Sequence, residues 1–365
     1  MIKVCHMTSV HAPEDVRIFK KECVSLARAG YDTYLVEQGE TYDKNGVHII
    51  GVGTQENSRF ARMFKMTKRV YEAALKVDAD IYHFHDPELL PYGLKLKKKG
   101  KKVIFDSHEN TSQLILEKKY IPGFLRVGIS KAYKSYEKKI CKKLDVVIYV
   151  TPNVRKQFKA LNKNALFIAN YPLLIDNTIP DFTNRNIFFG GMIIPAWHHE
   201  DIIRAIEDIH DVTYTLCGTV SEKYLGQLSS LNGWSKVNYL GQVSHERVYE
   251  ELNNSCIGLA IAEPAPNTNW NEGTLGVTKL FEEMMAGLPV ICSNFELWKK
   301  IVEENDCGIC VNPGNVDEIK KAINKLLNDK NLAETMGTNG RRLVEQKYNW
   351  LVESEKLISL YKQLI

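Results

Sequence analysis

The sequence predicts an α/β protein made of two parallel-sheet units in series. Short apolar runs suited to buried strands alternate with amphipathic helical segments along the whole chain, which is the rhythm of parallel sheets. At 365 residues the chain is also too long for one ordinary core. Its charge is divided as well: residues 1–170 hold 31 Lys and Arg against 18 Asp and Glu, the remainder 17 against 26, leaving a net +4. A basic half joined to an acidic half fits two domains with different partners.

The elements follow in order. Residues 2–7 form a first strand and 16–29 a helix closed by Gly30; 33–36 and 47–50 are strands. A helix is expected over 59–76, a strand over 81–84, a helix over 88–99 ended by Gly100, and a strand over 103–105. After a lysine-rich helical region come strands at 146–150 and 165–169. Residues 173–186, rich in turn formers and without a period, read as a linker between a domain of 1–172 and one of 187–348. The second alternation has strands at 187–189, 214–217, 237–240 and 256–261, with a helix over 200–209. A glycine loop at 271–276 feeds a helix over 277–286 and a strand over 288–291. A strand at 308–311, helices near 316–327 and 331–346, and an amphipathic segment from 350 to the end complete the series. The recurrence is that of two Rossmann-like units.

Composition narrows the class. Hydrophobic residues make up 44% and charged residues 25%, as in a soluble globular protein. No apolar run approaches the ~18 residues of a membrane span, and MIKVCHMTSV lacks a signal-peptide pattern, so a cytoplasmic location is expected. The eight cysteines lie mostly in apolar segments and read as buried thiols. Cys307-Gly-Ile-Cys310 has the spacing of half a zinc site, but no second pair accompanies it, and no metal is expected. Basic runs occupy 95–102 and 131–143. Nothing resembles a nucleic-acid module, so an anionic membrane surface or a phosphate-bearing substrate is the better partner.

Loops that follow parallel strands are where ligands bind, and three in the first half carry histidine with carboxylate. The first holds His11, Asp15 and Arg17; it lacks G-x-G-x-x-G, which disfavours an NAD-dependent dehydrogenase. Asp15 reads equally well as a helix N-cap. The second loop holds His85 and Asp86, the third His108 and Glu109. Together they predict one polar cleft. In the second half the loop to Gly276 leaves the N–H groups and positive dipole end of the next helix free for a diphosphate, with Thr278 and Lys279 in its first turn. Glu282, one turn on, reads on its own as either a solvated position or a ligand contact.

The segments SVHAPEDVRIFKKECVSLARAGY, HFHDPELLP, FDSHE, ANYP and VTKLFEEMMAGLPVI together resemble the retaining glycosyltransferases of GT-B architecture, family 4 (group 1), in particular bacterial enzymes of capsule, O-antigen and exopolysaccharide assembly. The resemblance runs over essentially the whole chain. It implies an α/β GT-B fold, two Rossmann-like domains with parallel sheets facing a central cleft, the final helix (349–365) packing back on the first. It also implies a UDP- or GDP-sugar donor bound by the second domain and a glycan acceptor, polyprenyl-diphosphate-linked in some relatives, bound by the first. Transfer needs neither metal nor cofactor. Residue by residue, the diphosphate helix maps to Gly276, Val277, Thr278 and Lys279, and the ribose-binding acid to Glu282. Base contacts map to Gly241, Gln242 and Val243, a glycine of the donor site to Gly191, and the histidine near donor sugar and phosphate to His108. His11, Asp15, Arg17, His85, Asp86 and Glu109 fall to the acceptor side. A basic first domain would dock peripherally on the inner face of the plasma membrane.

Departures from the family pattern are equally specific. A glutamate is usual eight positions before Glu282, where Thr274 stands. Glu272 is then the candidate catalytic acid, beside Glu263. The usual arginine and lysine after the first strand of the second domain are replaced by Met192 and by Trp197 or His198. Two alternatives follow: a nucleotide-sugar epimerase of the same fold, or a degenerate donor-binding subunit that assists a partner.

Overall fold

A computed structural model describes residues 1–54, 62–108, 111–118, 121–151, 155–175 and 180–365. Two compact units divide the chain. The first comprises Met1–Asn170 with Leu351–Ile365, the second Tyr171–Trp350.

The first unit is built on an eight-stranded sheet: β1 (Lys3–Met7), β2 (Asp32–Glu37), β3 (Tyr42–Lys44), β4 (Val47–Gly51), β5 (Ile81–Phe84), β6 (Lys102–Ser107), β7 (Val146–Tyr149) and β8 (Leu166–Phe167). Its order is β3-β4-β2-β1-β5-β6-β7-β8, and every pairing is parallel except β3 with β4. Side chains alternate across a strand, and here the alternation divides two environments. Cys5, Met7, Tyr82, Phe84, Val103 and Phe105 pack into the core on one face. His6 and His83 are cross-strand partners and point to the other.

A helical segment follows β1. Asp15 caps it by accepting the N–H groups of Arg17 and Ile18 at 2.8 and 3.0 Å. The first eight residues, Val16–Cys23, are wound as a π-helix, and Val24–Arg28 continue as an α-helix. Such wide turns are rare and concentrate at functional sites. With hydrogen bonds running i to i+5, residues five apart stack, and Arg17 and Glu22 share the face turned to the sheet. The closing helix Trp350–Leu364 contributes Leu351 onward to this unit: Glu353 accepts the Ala169 N–H at 2.9 Å, and the Tyr361 hydroxyl lies 2.8 Å from His83 Nδ1.

In the second unit β9 (Asn186–Gly190), β10 (Thr213–Cys217), β11 (Val237–Gly241), β12 (Ile257–Ala260), β13 (Val290–Ser293) and β14 (Gly308–Val311) form an all-parallel sheet in the order β11-β10-β9-β12-β13-β14. Counted within the unit this is 3-2-1-4-5-6, the doubly wound arrangement, whose order reverses between its first and fourth strands. That point lies between β9 and β12.

Several elements differ from the sequence reading. The hairpin strand β3 and the helices Glu222–Ser229, His245–Asn253 and Glu296–Val302 were not anticipated, because each is short and half exposed. The segment expected over 165–169 pairs only at Leu166–Phe167. The helix expected from residue 59 is described from Arg62: a π-turn over Arg62–Met66, then Thr67–Val77.

Packing against β5 is close. A Cβ on Gly93, in the helix Leu90–Lys98, would lie 2.4 Å from Phe84 Cε1. Gly93→Ala is expected to destabilise the chain by about 1–3 kcal/mol, the usual cost of overpacking, read as a lower thermal midpoint.

Candidate active site

In the second unit the strand ends are tied together by glycines. The Gly191 N–H donates to the Cys217 carbonyl at 2.8 Å, and the Gly218 N–H to the Gly241 carbonyl at 2.7 Å. Gly191 and Gly218 have φ of 142° and 149°, values that L side chains rarely adopt. Beyond β12, an exposed 3-10 turn, Trp270–Glu272, leads into the loop expected to cradle a ligand. Thr274 is buried there; its Oγ1 accepts the Gly276 N–H at 3.1 Å and its carbonyl accepts Trp298 Nε1 at 2.9 Å. The helix Thr278–Met285 then starts at Val277 with no side chain capping its first turn. Its leading amides and the positive end of its dipole are left for an anion.

Lys279 turns back from this helix onto β9. Its Nζ lies 3.6 Å from the Trp197 ring centroid and 4.3 Å from that of Phe189, a two-ring cation–π contact. A Cβ on Gly191 would come within 2.9 Å of the same nitrogen. Burial lowers the Lys279 pKa to about 8, although Glu283 and Glu282 pull it upward. Glu283, fully buried beside it, is raised well above the ordinary carboxylate range by desolvation, against the attraction of Lys279. Gly258 of β12 leaves it room, since a Cβ there would meet Glu283 Cβ at 2.6 Å. Glu282 is partly exposed, with His245 Nε2 3.9 Å away. Gln242 is exposed, and Val243 packs beside Phe188 and Leu288.

At the strand ends of the first unit the sequence-predicted residues do meet. His11 stands 3.4 Å from both Asp15 and Asp86, and its ring centroid is 4.9 Å from that of His108. His108 Nε2 lies 3.2 Å from His85 Nδ1 and 3.4 Å from Asp106 Oδ2. His11, Asp15 and His108 keep partial exposure, whereas His85 and Asp86 are buried. Asp86 Oδ2 accepts the Thr8 hydroxyl at 3.0 Å and the Ser9 hydroxyl at 3.2 Å, so it orders the loop after β1. Burial alone would raise Asp15, but hydrogen bonds from His11 and the Ile18 N–H hold it well below the usual carboxylate range. For His11, burial works downward and is outweighed by the Asp15 hydrogen bond and the Asp86 charge, so its pKa rises. Desolvation lowers His85 to about 4.

Arg17 differs from its expected place. It is buried, and its Nε and Nη2 reach Asp106 Oδ2 at 2.9 and 2.8 Å while Nε lies 3.1 Å from Glu22 Oε1. It serves the interior of the unit rather than the loop surface. Glu109 lies outside the described residues. Sequence reasoning passed over His6, Glu22, His83 and Glu283, and named Trp197 only as a departure from the family pattern. For Glu22 and Glu283, charge within an otherwise apolar helix face was the available signal.

Comparison with known proteins is consistent along the chain. The family model of Glycosyl transferases group 1 matches residues 180–343, and that of Glycosyltransferase Family 4 matches residues 19–165. The chain is a group 1 glycosyltransferase of GT-B fold. Among solved structures, sucrose-phosphate synthase from Thermosynechococcus elongatus superposes with a TM-score of 0.74 at 17% identity, over 100% of this glycosyltransferase and 99% of that chain. HepE from Anabaena, in complex with UDP and glucose, gives a TM-score of 0.72 at 13% identity, over 100% of each chain. Among curated relatives, the capsular polysaccharide biosynthesis glycosyltransferase CapM of Staphylococcus aureus is 36% identical over 78 residues, 21% of this chain and 20% of its own length. The curated relatives are matched over between 20% and 56% of their own lengths.

The strand-end glycines give a direct test. A Cβ at Gly218 would lie 1.6 Å from the Gly191 carbonyl oxygen, whereas one at Gly226 meets nothing within 4 Å. Gly218→Ala is expected to lower stability by upwards of ~3 kcal/mol, and Gly226→Ala to be neutral or stabilising by up to ~1 kcal/mol, measured by denaturant unfolding.

Proposed function

We propose that this glycosyltransferase moves a sugar from a UDP- or GDP-sugar to a glycan or lipid-linked glycan acceptor in cell-surface polysaccharide biosynthesis, with retention of anomeric configuration. The observation that carries the reading is the uncapped helix at Thr278 with the Lys279 ammonium held against Gly191. In this reading the diphosphate lies on the amides of Val277 and Thr278, Lys279 supplies the cation that Met192 and Trp197 do not, and Glu282 accepts the ribose hydroxyls. Gly241, Gln242 and Val243 border the base.

As the bond from the anomeric carbon to the diphosphate oxygen breaks, the acceptor hydroxyl attacks from the same face and its proton passes to the departing diphosphate. Negative charge grows on the leaving group, so the helix amides and Lys279 stabilise the transition state more than the ground state. No covalent intermediate and no metal are required. His108, backed by Asp106, hydrogen-bonds the donor, and His11, Asp15 and Asp86 shape the acceptor side. Glu272 is the exposed acid left to act near the sugar. The buried Thr274, in the position where the family has an acid, favours as a second reading a catalytically degenerate donor-binding subunit that only assists a partner. Measurable turnover by the isolated chain excludes it.

A membrane-facing acceptor side is supported by the helix Gly123–Cys141, where Phe124, Leu125, Val127 and Ile129 are exposed beside Lys131, Lys134 and Lys138. Nearby, a 520 Å³ pocket is lined by Phe64, Pro91, Tyr92, Ile115 and Tyr133. Among the described residues no helix is long and apolar enough to cross a membrane. Docking on the inner face of the plasma membrane would therefore be peripheral.

Two measurements test the site. Lys279 is charged below its pKa of about 8 and neutral above it, so affinity for UDP or GDP is expected to weaken as pH rises from 7 to about 9. Lys279→Arg, always charged, should flatten that profile, while Lys279→Ala should lose about 10- to 100-fold in affinity at pH 7. A flat wild-type profile in calorimetry would remove Lys279 from the diphosphate site. His108→Ala and Glu272→Gln are expected to lower kcat by about 100-fold or more with smaller changes in donor KM; wild-type rates in both would displace the assignment.

A further inference from the structure

Below the strand-end loops of the first unit lies a set of buried side chains, of which only His85 was expected on the acceptor side. His6 of β1, His83 of β5, His85 and Glu22 are all buried, at 0–2% exposure. His6 Nδ1 and His85 Nε2 are 3.0 Å apart. Glu22 Oε2 stands 3.8 Å from His6 Nδ1, 3.8 Å from His83 Nδ1 and 3.9 Å from His85 Nε2. One donor atom from each of the four falls within 4.8 Å of all the others. Nitrogen and oxygen ligands about 2.0–2.1 Å from a tetrahedral ion are separated from each other by roughly 3.4 Å, and the observed spacings straddle that value.

Charge points the same way. Arg17 is a single guanidinium facing two buried carboxylates, and it gives its two shortest contacts to Asp106. Glu22 is left with its Oε2 facing three imidazoles and, among the described residues, without a hydrogen-bond partner. A buried polar atom without a partner is costly. The outer shell also suits ligation: His85 turns its other nitrogen toward Asp106 Oδ2 at 3.6 Å, and His6 turns its Nε2 toward the Tyr361 hydroxyl at 3.2 Å, the carboxylate and hydroxyl partners that orient metal-bound imidazoles. Tyr361 is also close to His83 Nδ1 and adds an oxygen at the edge of the set. The neighbouring group of His85, Asp106 and His108 is less suited, since Asp106 is engaged by Arg17 and His108 is partly exposed.

We propose that the first unit binds a divalent transition-metal ion, zinc by its donor set, through His6, His83, His85 and Glu22. With every ligand buried, no open position faces a substrate, so the ion is a structural staple joining β1, β5 and the π-helical segment. This departs from the absence of metal expected from the sequence, and it stands independently of the transfer reaction, for which none is needed.

The test uses the full-length, untagged chain refolded with Zn²⁺ and desalted. About one equivalent of zinc is expected, lost in Glu22→Gln and His83→Ala and retained in the control Cys307→Ser/Cys310→Ser, because ligation requires the folded donor set. Since a ligand variant could fail to fold, the wild-type chain is also loaded with Co²⁺. Tetrahedral d–d absorption without thiolate charge transfer is expected. Substoichiometric metal in a natively folded wild-type chain, metal kept at full occupancy by Glu22→Gln, or a thiolate band would each overturn the proposal. The first of these outcomes would leave Glu22 as a protonated core acid.

Discussion

The ammonium of Lys279, lodged between the Trp197 and Phe189 rings and the bare backbone of Gly191, is the contact around which the second unit's strand ends are arranged. Each neighbour answers to it. Gly191 has no side chain because a Cβ would touch the amine, and Gly258 has none because Glu283 occupies the space beneath. A lysine in such surroundings loses hydration, which lowers its pKa. It therefore gains more from an arriving anion than a solvated lysine would. In the proposed donor site, burial would preorganise the cation that Met192 and Trp197 do not supply, and Trp197 itself forms part of the amine's seat.

The first unit solves a related problem with the opposite sign. Parallel β1 and β5 place His6 and His83 side by side on one face, and the π-winding after Asp15 turns both Arg17 and Glu22 toward them. Arg17 thereby becomes an internal counter-ion. Its charge holds Asp106 ionised against burial, and Asp106 in turn lies beside His85 and His108. The partly exposed His108 is thus backed by a carboxylate whose ionisation is maintained from the interior, an arrangement that fixes its orientation through charge rather than through packing alone.

The architecture was legible because buried parallel strands are nearly continuous apolar runs: β5 and β14 coincide with the runs read from sequence, and glycines at or just beyond the last residues of β9, β10 and β11 marked the strand ends. The strand-end histidines could be grouped because topology brings successive parallel strand ends to one edge of a sheet. What escaped the sequence were features set by three-dimensional register. A helical period of about 3.6 places Arg17 and Glu22 on different faces, and only the π-winding unites them. Asp15 proved to be a helix cap that also faces His11, whereas the sequence had offered the cap as the alternative to a ligand contact. Nothing in a strand of four apolar residues tells that Gly258 leaves room for a buried acid.

Thr274 shows how a departure from a family pattern can be structurally self-consistent. A glutamate there would have to bury its carboxylate where the threonine is 1% exposed, beneath Trp298 and against the Gly276 amide. Instead the hydroxyl holds that amide and the carbonyl holds the indole, which fixes the loop immediately before the free helix end. The chain has exchanged an acid in the loop for rigidity of the loop. The acid proposed to act near the sugar is then an exposed neighbour, Glu272, whose 3-10 turn precedes Gly273, a glycine at φ 82°. In the proposed donor site, Thr274 and Lys279 therefore act on the same helix terminus, one by fixing the direction of its amides and the other by adding the cation those amides lack.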